Sequence, residues 1–397
     1  MTGLLVLNRY ALFIMSAFLI LLEGIRSRQK ITLSAKDRVY VAVAIFLALA
    51  SIVTLAPLKS FLALALFSVS LILARLILVS IEHKFRLLKF AFILIIVILS
   101  FSLIALALYL GGVSPHYVTT DQWTEREYYG ILPFSLSPIS GDLNLSGFFR
   151  PSGFYDEPGA LSYLSSLLII VFLCVGRWNI LDLFPFLFLI PLATTSLQSL
   201  IQLLGILILS VRAVPRVTPR SLFLASATAT SLSLLYVRYS DVINSLIVSR
   251  LLVLFATEHS FGFAGNRAAS IQQSLSIFSN FDALLGGFLD PSAVGQSGGD
   301  FFTPLVYFGL FPWILYLVIL SRLLIIFALA LTGSFHSRRQ PLLIASFCLM
   351  LLLLQRPYIF NVFWVVPTLV AFLSIEDLSS RVTCSSDRKS QLGIVSG

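Results

Sequence analysis

Long apolar runs, broken at short intervals by basic segments, constrain this chain more than any other feature. They fall at about 4–22, 39–56, 61–80, 90–110, 158–176, 180–192, 196–211, 221–237, 303–321, 341–354 and 357–375. A helix needs about 20 apolar residues to cross the hydrocarbon core of a bilayer. Lipid offers no partner to a backbone N–H or C=O, so such runs fold as helices, which pair those groups internally. With 58% hydrophobic and 11% charged residues, the chain is far more apolar than a soluble domain. The sequence predicts an all-α, polytopic integral membrane helical bundle, one transmembrane domain over 1–397 with about eleven transmembrane helices. Several runs are short, and a re-entrant segment near 180–211 is the alternative to two true spans there. The run from Pro304 to Leu331 is too long for one simple span, and Pro312 is the expected kink.

The charge pattern orients the bundle. One set of inter-span segments carries Arg26, Arg28, Lys30, Lys36, Arg38, Lys84, Arg86, Lys89, Arg177, Arg212, Arg216, Arg220, Arg338, Arg339, Arg381, Arg388 and Lys389, which is 17 of the 27 basic residues. By the positive-inside rule this set is cytoplasmic, the N-terminus faces outward, and 376–397 is a cytoplasmic tail. The net charge of +9 is spent on orientation, and nucleic acid is not an expected partner. Arg75 and Arg322 lie near predicted cytoplasmic helix ends, where they can snorkel to water. The first apolar run is followed rather than preceded by basic residues, so no cleavable signal is expected. Cys174 and Cys348 sit in apolar runs and Cys384 in the tail; their spacing suggests neither a disulfide nor a metal site. Neither a metal nor a cofactor is expected.

Two long outward loops remain, at 111–157 and 238–302, and they are expected to contain short helices. The first carries His116, Tyr117, Trp123, Tyr128 and Tyr129, suited to interface anchoring or to stacking on sugars. It ends in GFFRPSGFYDEPGALSYL, 147–164, where Arg150, Tyr155, Asp156 and Glu157 precede a helix opened by Pro158. Proline suits the first helical position, and acids beside it favour the positive end of the helix dipole. The acids therefore have a plain capping role as well as a chemical one. The second loop reads as an amphipathic helix over 240–255, then a helical pattern over 266–278 led by Arg267, then a Gly/Ser-rich stretch. Asp300 follows, with Thr303 and Pro304 as the expected cap and first residue of the next span. Mid-bundle, Thr194, Thr195, Ser196, Gln198, Ser199 and Gln202 face a partner helix or a substrate.

Walker loops, dinucleotide turns and hydrolase elbows are absent from the sequence. What it offers is arginine with carboxylate at an outward membrane surface. Arginine binds phosphate through a planar fork that stays charged, and a carboxylate or His can take a proton from an attacking hydroxyl. That chemistry suits a substrate with a lipid tail, a diphosphate and a polar head.

Three stretches carry a family resemblance: RPSGFYDEPGALSYL at 150–164, Arg267 leading a helix that ends at LLGG, 284–287, and Asp300 followed by FFTPLVYFGLFPWI, 301–314. With these the chain resembles the bacterial O-antigen polymerase and O-antigen ligase superfamily of polytopic glycosyltransferases. The ligase branch usually has His near the third stretch, where this chain has Asp300, and the polymerase branch is favoured. Where the family commonly places an Arg after a Thr/Ser pair, Ser196 is followed by Leu197 and Gln198. The resemblance implies a GT-C-like bundle in the bacterial inner membrane with its active site on the periplasmic face. It implies an undecaprenyl-diphosphate-linked oligosaccharide as donor and as acceptor, membrane lipid as surroundings, and a chain-length regulator as a candidate partner. Arg150, Arg267, Arg250 and Arg356, with Tyr155, would bind the substrate and its diphosphate; Glu157, Asp300 or His259 would deprotonate the acceptor. A ligase, or from another class a lipid-linked oligosaccharide flippase, are the alternatives.

Overall fold

Helix α1, Ala35–Val53, begins at Ser34, whose Oγ accepts from the Asp37 backbone N–H while the Asp37 side chain accepts from the Ser34 N–H. This reciprocal box satisfies two of the donors a helix start leaves unpaired. Its buried residues are Asp37, Tyr40, Ala44, Leu47, Ala48 and Ser51, a stripe at helical spacing. Val39, Phe46, Leu49 and Ile52 point the other way and are exposed. Bulky apolar residues outside, with Ala44, Ala48 and Ser51 among those inside, are the membrane form of the pattern, because close helix approach rather than water exclusion drives association there.

The computed structural model describes residues 33–54, 58–83, 85–119, 128–133, 135–139, 158–175, 180–194, 197–211, 277–279, 284–285, 301–332, 339–356, 358–361 and 364–391, with single positions at 230 and 237. After α1 come α2 (Leu58–His83), α3 (Phe85–Leu110), β1 (His116–Thr119), β2 (Tyr128–Leu132), β3 (Ser135–Ile139), α4 (Pro158–Val175), α5 (Ile180–Thr194) and α6 (Leu197–Val211). The chain continues through α7 (Thr303–Phe308), α8 (Leu310–Thr332), α9 (Arg339–Gln355) and α10 (Val365–Gln391). The protein is a helical membrane protein: Leu58–Val79, Leu88–Leu110 and Leu310–Thr332 are each long and apolar enough to cross a bilayer. The expected runs at 4–22 and 221–237 lie outside the described residues, apart from the single position 230 and Val237.

The chain divides into two compact units. The first comprises 1–6, 89–166 and 178–272. Here α3 ends in a glycine turn: Gly112, at φ 91°, donates to the Tyr109 carbonyl, and Val113 donates to that of Leu108. That is the left-handed helix stop that glycine adopts without strain. The described part of the first loop is then a three-stranded antiparallel sheet in the order β1-β2-β3, not helix. Its register pairs Tyr117 with Gly130, Val118 with Tyr129, and Tyr129 with Pro138. Aromatic and β-branched residues there favour a pleated surface, and Pro138 is tolerated because β3 is an edge strand. Leu132 is buried against Ala105 and Tyr109 of α3, which seats the sheet on the helix end. Phe92 and Phe186 meet at 4.6 Å between α3 and α5.

The second unit comprises 7–88, 167–177 and 273–397. Its helices α1 with α2, α2 with α10, and α8 with α9 pack most extensively. Phe67, Leu71, Tyr316, Leu323, Leu343 and Phe372 are fully buried in it. Three expectations meet a different local structure here. The long run from 304 breaks at Gly309, at φ 86°, and not at Pro312. Pro312 falls in the first turn of α8, where its missing N–H has no intrahelical partner to lose. The cap of α7 is Phe302 with no side-chain cap hydrogen bond, not Thr303; the Phe302 ring stacks on Trp313 at 6.1 Å. The segment expected to be a tail from 376 continues α10 as helix to Gln391.

Candidate functional site

The second unit has two polar ends, and the helix directions fix which residues share each. One end gathers the start of α2, the α7–α8 junction and the 356–364 turn: Ser60 Oγ donates to the Phe308 carbonyl, and Phe360 packs on Phe67 and Phe308 at 6.3 and 5.7 Å. The other end gathers the start of α1 with the later parts of α2, α8 and α10.

At the first end, α9 stops at Gln355, and the Arg356 N–H donates to the Leu352 carbonyl. A single 3-10 turn follows, Tyr358–Phe360. Asn361 donates back to the Tyr358 carbonyl, and Trp364 to that of Asn361, so the segment is tied before α10 begins. Arg356 Nη1 donates to the Tyr358 hydroxyl, and its guanidinium carbon lies 5.7 Å from that ring's centroid. Tyr358 stacks in turn on Trp364, at 5.8 Å with planes 14° apart. Arg356, Tyr358 and Trp364 are all half-buried. A fixed cation beside a flat aromatic pair can meet an anionic group and an adjoining sugar face together.

Close to the same end, Phe301 and Phe302 join an aromatic group with Phe278, Trp313 and Tyr316. Ile277 and Leu305 are buried under it, with Leu284 and Leu310 alongside. The chain immediately after Asp300 is thus anchored by ring packing, while Asp300 itself lies outside the described residues. Arg150, Tyr155, Glu157, Arg250, His259 and Arg267 lie outside them as well, so Arg356 is the member of the expected set that the described structure places. Pro158 does open α4, as its type and position imply.

The opposite end holds an ion cluster that the sequence reading did not assemble. Glu376 accepts four hydrogen bonds: from Tyr40 Oη at 3.0 Å and Arg322 Nε at 2.6 Å on Oε1, and from Lys36 Nζ at 3.0 Å and Arg322 Nη2 at 3.1 Å on Oε2. Arg75 bridges two further acids, Asp37 at 2.7 Å and Asp377 at 2.6 Å. Three cations face three carboxylates. The Arg75 head, 8% exposed, is held inside the unit, because paired charge is far cheaper there than a lone one, while Arg322 keeps part of its side chain exposed. The signal available in the sequence was Asp37 in the first turn of an apolar helix and Glu376–Asp377 directly after one. It gave no way to tell which helices would meet.

The polar mid-bundle residues pack helices where they are described. Ser166 of α4 is hydrogen-bonded to Gln202 of α6 at 2.7 Å, and Thr194 Oγ1 donates to the Ile190 carbonyl. Thr195 and Ser196 lie outside the described residues. Among the described residues no group of three or more His, Cys, Asp or Glu is placed to hold a metal ion. Comparison with protein-family models, with curated proteins and with solved structures finds no match.

Proposed function

We propose that this chain is a membrane glycosyltransferase that polymerises a surface polysaccharide such as O-antigen from lipid-diphosphate-linked oligosaccharide repeats. The observation that carries the reading is the tied turn in which Arg356 sits against Tyr358, itself stacked on Trp364. It sets a cation suited to a diphosphate beside a flat aromatic pair suited to a sugar face, at one end of an apolar bundle. In the proposed reaction the anomeric carbon of the donor glycan is attacked by a hydroxyl of a second lipid-linked repeat. The bond to the lipid diphosphate breaks, and the proton passes to a carboxylate or His. Arg356, with Arg150, Arg267 and Arg250, offsets the charge that builds on the leaving diphosphate. Glu157, Asp300 or His259 is the base. The site would face the periplasm, on the side opposite the basic segments.

The test is a product-length assay with purified chain and the matching lipid-linked repeat alone. A ladder that is lost in Arg150→Ala, Arg267→Ala and Arg356→Ala, with the proteins still folded, supports the reading. No ladder without a lipid A-core acceptor, and transfer with it, makes the chain a ligase. A second reading, movement of lipid-linked sugar across the membrane, is favoured by one observation: ionisable residues buried between helices, as Asp37 and Arg75 are. Transfer of labelled lipid across a reconstituted bilayer without lengthening would establish it in place of the first.

A further inference from the structure

The ion cluster and α8 set the water boundary in conflicting places. Arg322 and Glu376 are bonded, which puts them at one level, and both helices run from there toward the same end. Beyond Arg322, α8 continues as LLIIFALALT, ten residues or about 15 Å of helix. That half is apolar up to its last residue, Thr332, with Leu324, Ile325 and Leu329 exposed by 54, 49 and 63%. Such a surface belongs in lipid. On its inner side Phe327 meets Phe347 of α9 at 6.1 Å. Beyond Glu376, however, α10 carries Asp377, Ser379, Ser380 and Arg381 over the same span of height. A polar helix face in hydrocarbon is costly unless it lines water or protein.

Exposure along α10 says which. Val370 through Glu376 are buried, 377–380 are half-buried, and Arg381 is exposed. In the cluster itself the Asp37 and Glu376 side chains are 1% and 3% exposed, Asp377 is 26% and Lys36 is 43%. Accessibility thus grades from a closed floor to an open rim while α8 beside it still presents apolar residues outward. We propose that the second unit contains a one-sided, water-filled recess, floored by the buried members of the ion cluster, Asp37, Arg75 and Glu376, and rimmed by Lys36, Asp377, Ser380 and Arg381. It opens toward the face where α8 and α10 end and reaches below the level at which α8 is in lipid. Water there is the ligand: it hydrates the charged rim, and the buried side chains of Asp37, Arg75 and Glu376 close the recess. The inference rests on α8 lying in the membrane and not on glycosyl transfer, so either can fail alone.

Thiol labelling tests it. Ser380→Cys, Arg381→Cys and Leu329→Cys are made in a Cys384→Ser chain; Cys174 and Cys348 are buried and stay. Freeze–thawed membrane vesicles, open to reagent on both faces, are treated with a charged, membrane-impermeant maleimide. Leu329 lies further along α8 from the Arg322–Glu376 level than Arg381 does along α10, yet it should be the protected position. Arg381→Cys and Ser380→Cys should label at least about tenfold faster than Leu329→Cys, since a thiol reacts as hydrated thiolate. All three should label alike in denaturing detergent. Leu329→Cys labelling as fast as Arg381→Cys would put the end of α8 in water and remove the recess. Arg381→Cys and Ser380→Cys both labelling as slowly as Leu329→Cys would remove it too.

Discussion

Arg75 Nη2 lies 2.7 Å from Asp37 Oδ1, and the same carboxyl group, through Oδ2, accepts the N–H of Ser34 that opens α1. One acid therefore both starts a helix and binds it to α2. Both side chains are almost fully buried, so the pair is worth most when whole and costs most when halved. Asp37→Ala or Arg75→Ala alone should each destabilise the folded protein by about 3–5 kcal/mol. The double variant should cost less than the two singles together, with a coupling of about 1–3 kcal/mol. Unfolding of all four proteins in detergent measures this, and additive losses would mean that the pair is not formed.

Arg322 grips Glu376 with two nitrogens, Nε and Nη2. A lysine carries the charge but not the fork. Arg322→Lys should lower stability by roughly 1 kcal/mol, discounted for the partly exposed edge of the guanidinium. A thermal-shift measurement in matched detergent, beside the harsher Arg322→Ala, checks the order.

Gly309 separates α7 from α8 at φ 86° and ψ −171°, a region where a side chain is strained. Gly309→Ala should cost about 1–3 kcal/mol whatever space surrounds it. Pro312→Ala, in the first turn of α8, should shift stability by well under half that, because no backbone bond depends on that ring. If Pro312→Ala proved the more damaging, the break would have been placed wrongly.

Gln202 ties α6 to α4 through Ser166. The Ser166 hydroxyl also lies 2.9 Å from the Ser162 carbonyl. With one proton to give, it shares that donor between the Ser162 carbonyl and Gln202 Oε1. Gln202→Leu should destabilise by about 0.5–1.5 kcal/mol, the range for hydrogen bonds between helices in membranes. Retained ladder formation in that variant would assign the residue to packing rather than to substrate.

Tyr358→Phe separates two contributions at the 356–364 turn. It removes the hydroxyl that accepts from Arg356 and keeps the stack on Trp364. Under the proposed function, ladder formation should fall several-fold with protein amount unchanged, whereas Trp364→Ala should cost more by removing the stacking surface. Equal activity in all three proteins would take the turn out of the site.

The apolar runs were legible because lipid leaves a chain few choices: length and composition alone demand helices. The starts of α2, α3, α4 and α6 fall close to where the runs begin, and Pro158 marks the first residue of α4. The candidate site was legible only as residue types. Arginines and acids at outward helix entries name a chemistry, but apart from Arg356 they lie outside the described residues, and only there is a partner seen.

What the sequence determined by itself is a helical membrane chain, because hydropathy acts segment by segment. Tertiary structure decided the rest. Whether the long run after 304 bends at Pro312 or Gly309 depends on where the first turn of α8 falls, and it falls at Leu310, directly after Gly309. The sheet of 116–119, 128–132 and 135–139 is joined to the end of α3 through Leu132. The joining of Asp37 to Arg75, and of Glu376 to Lys36 and Arg322, crosses 38 to 340 positions of chain. No local pattern encodes such a contact: a charge in a sequence has a sign, but its cost inside the protein depends on which charge the fold brings to meet it.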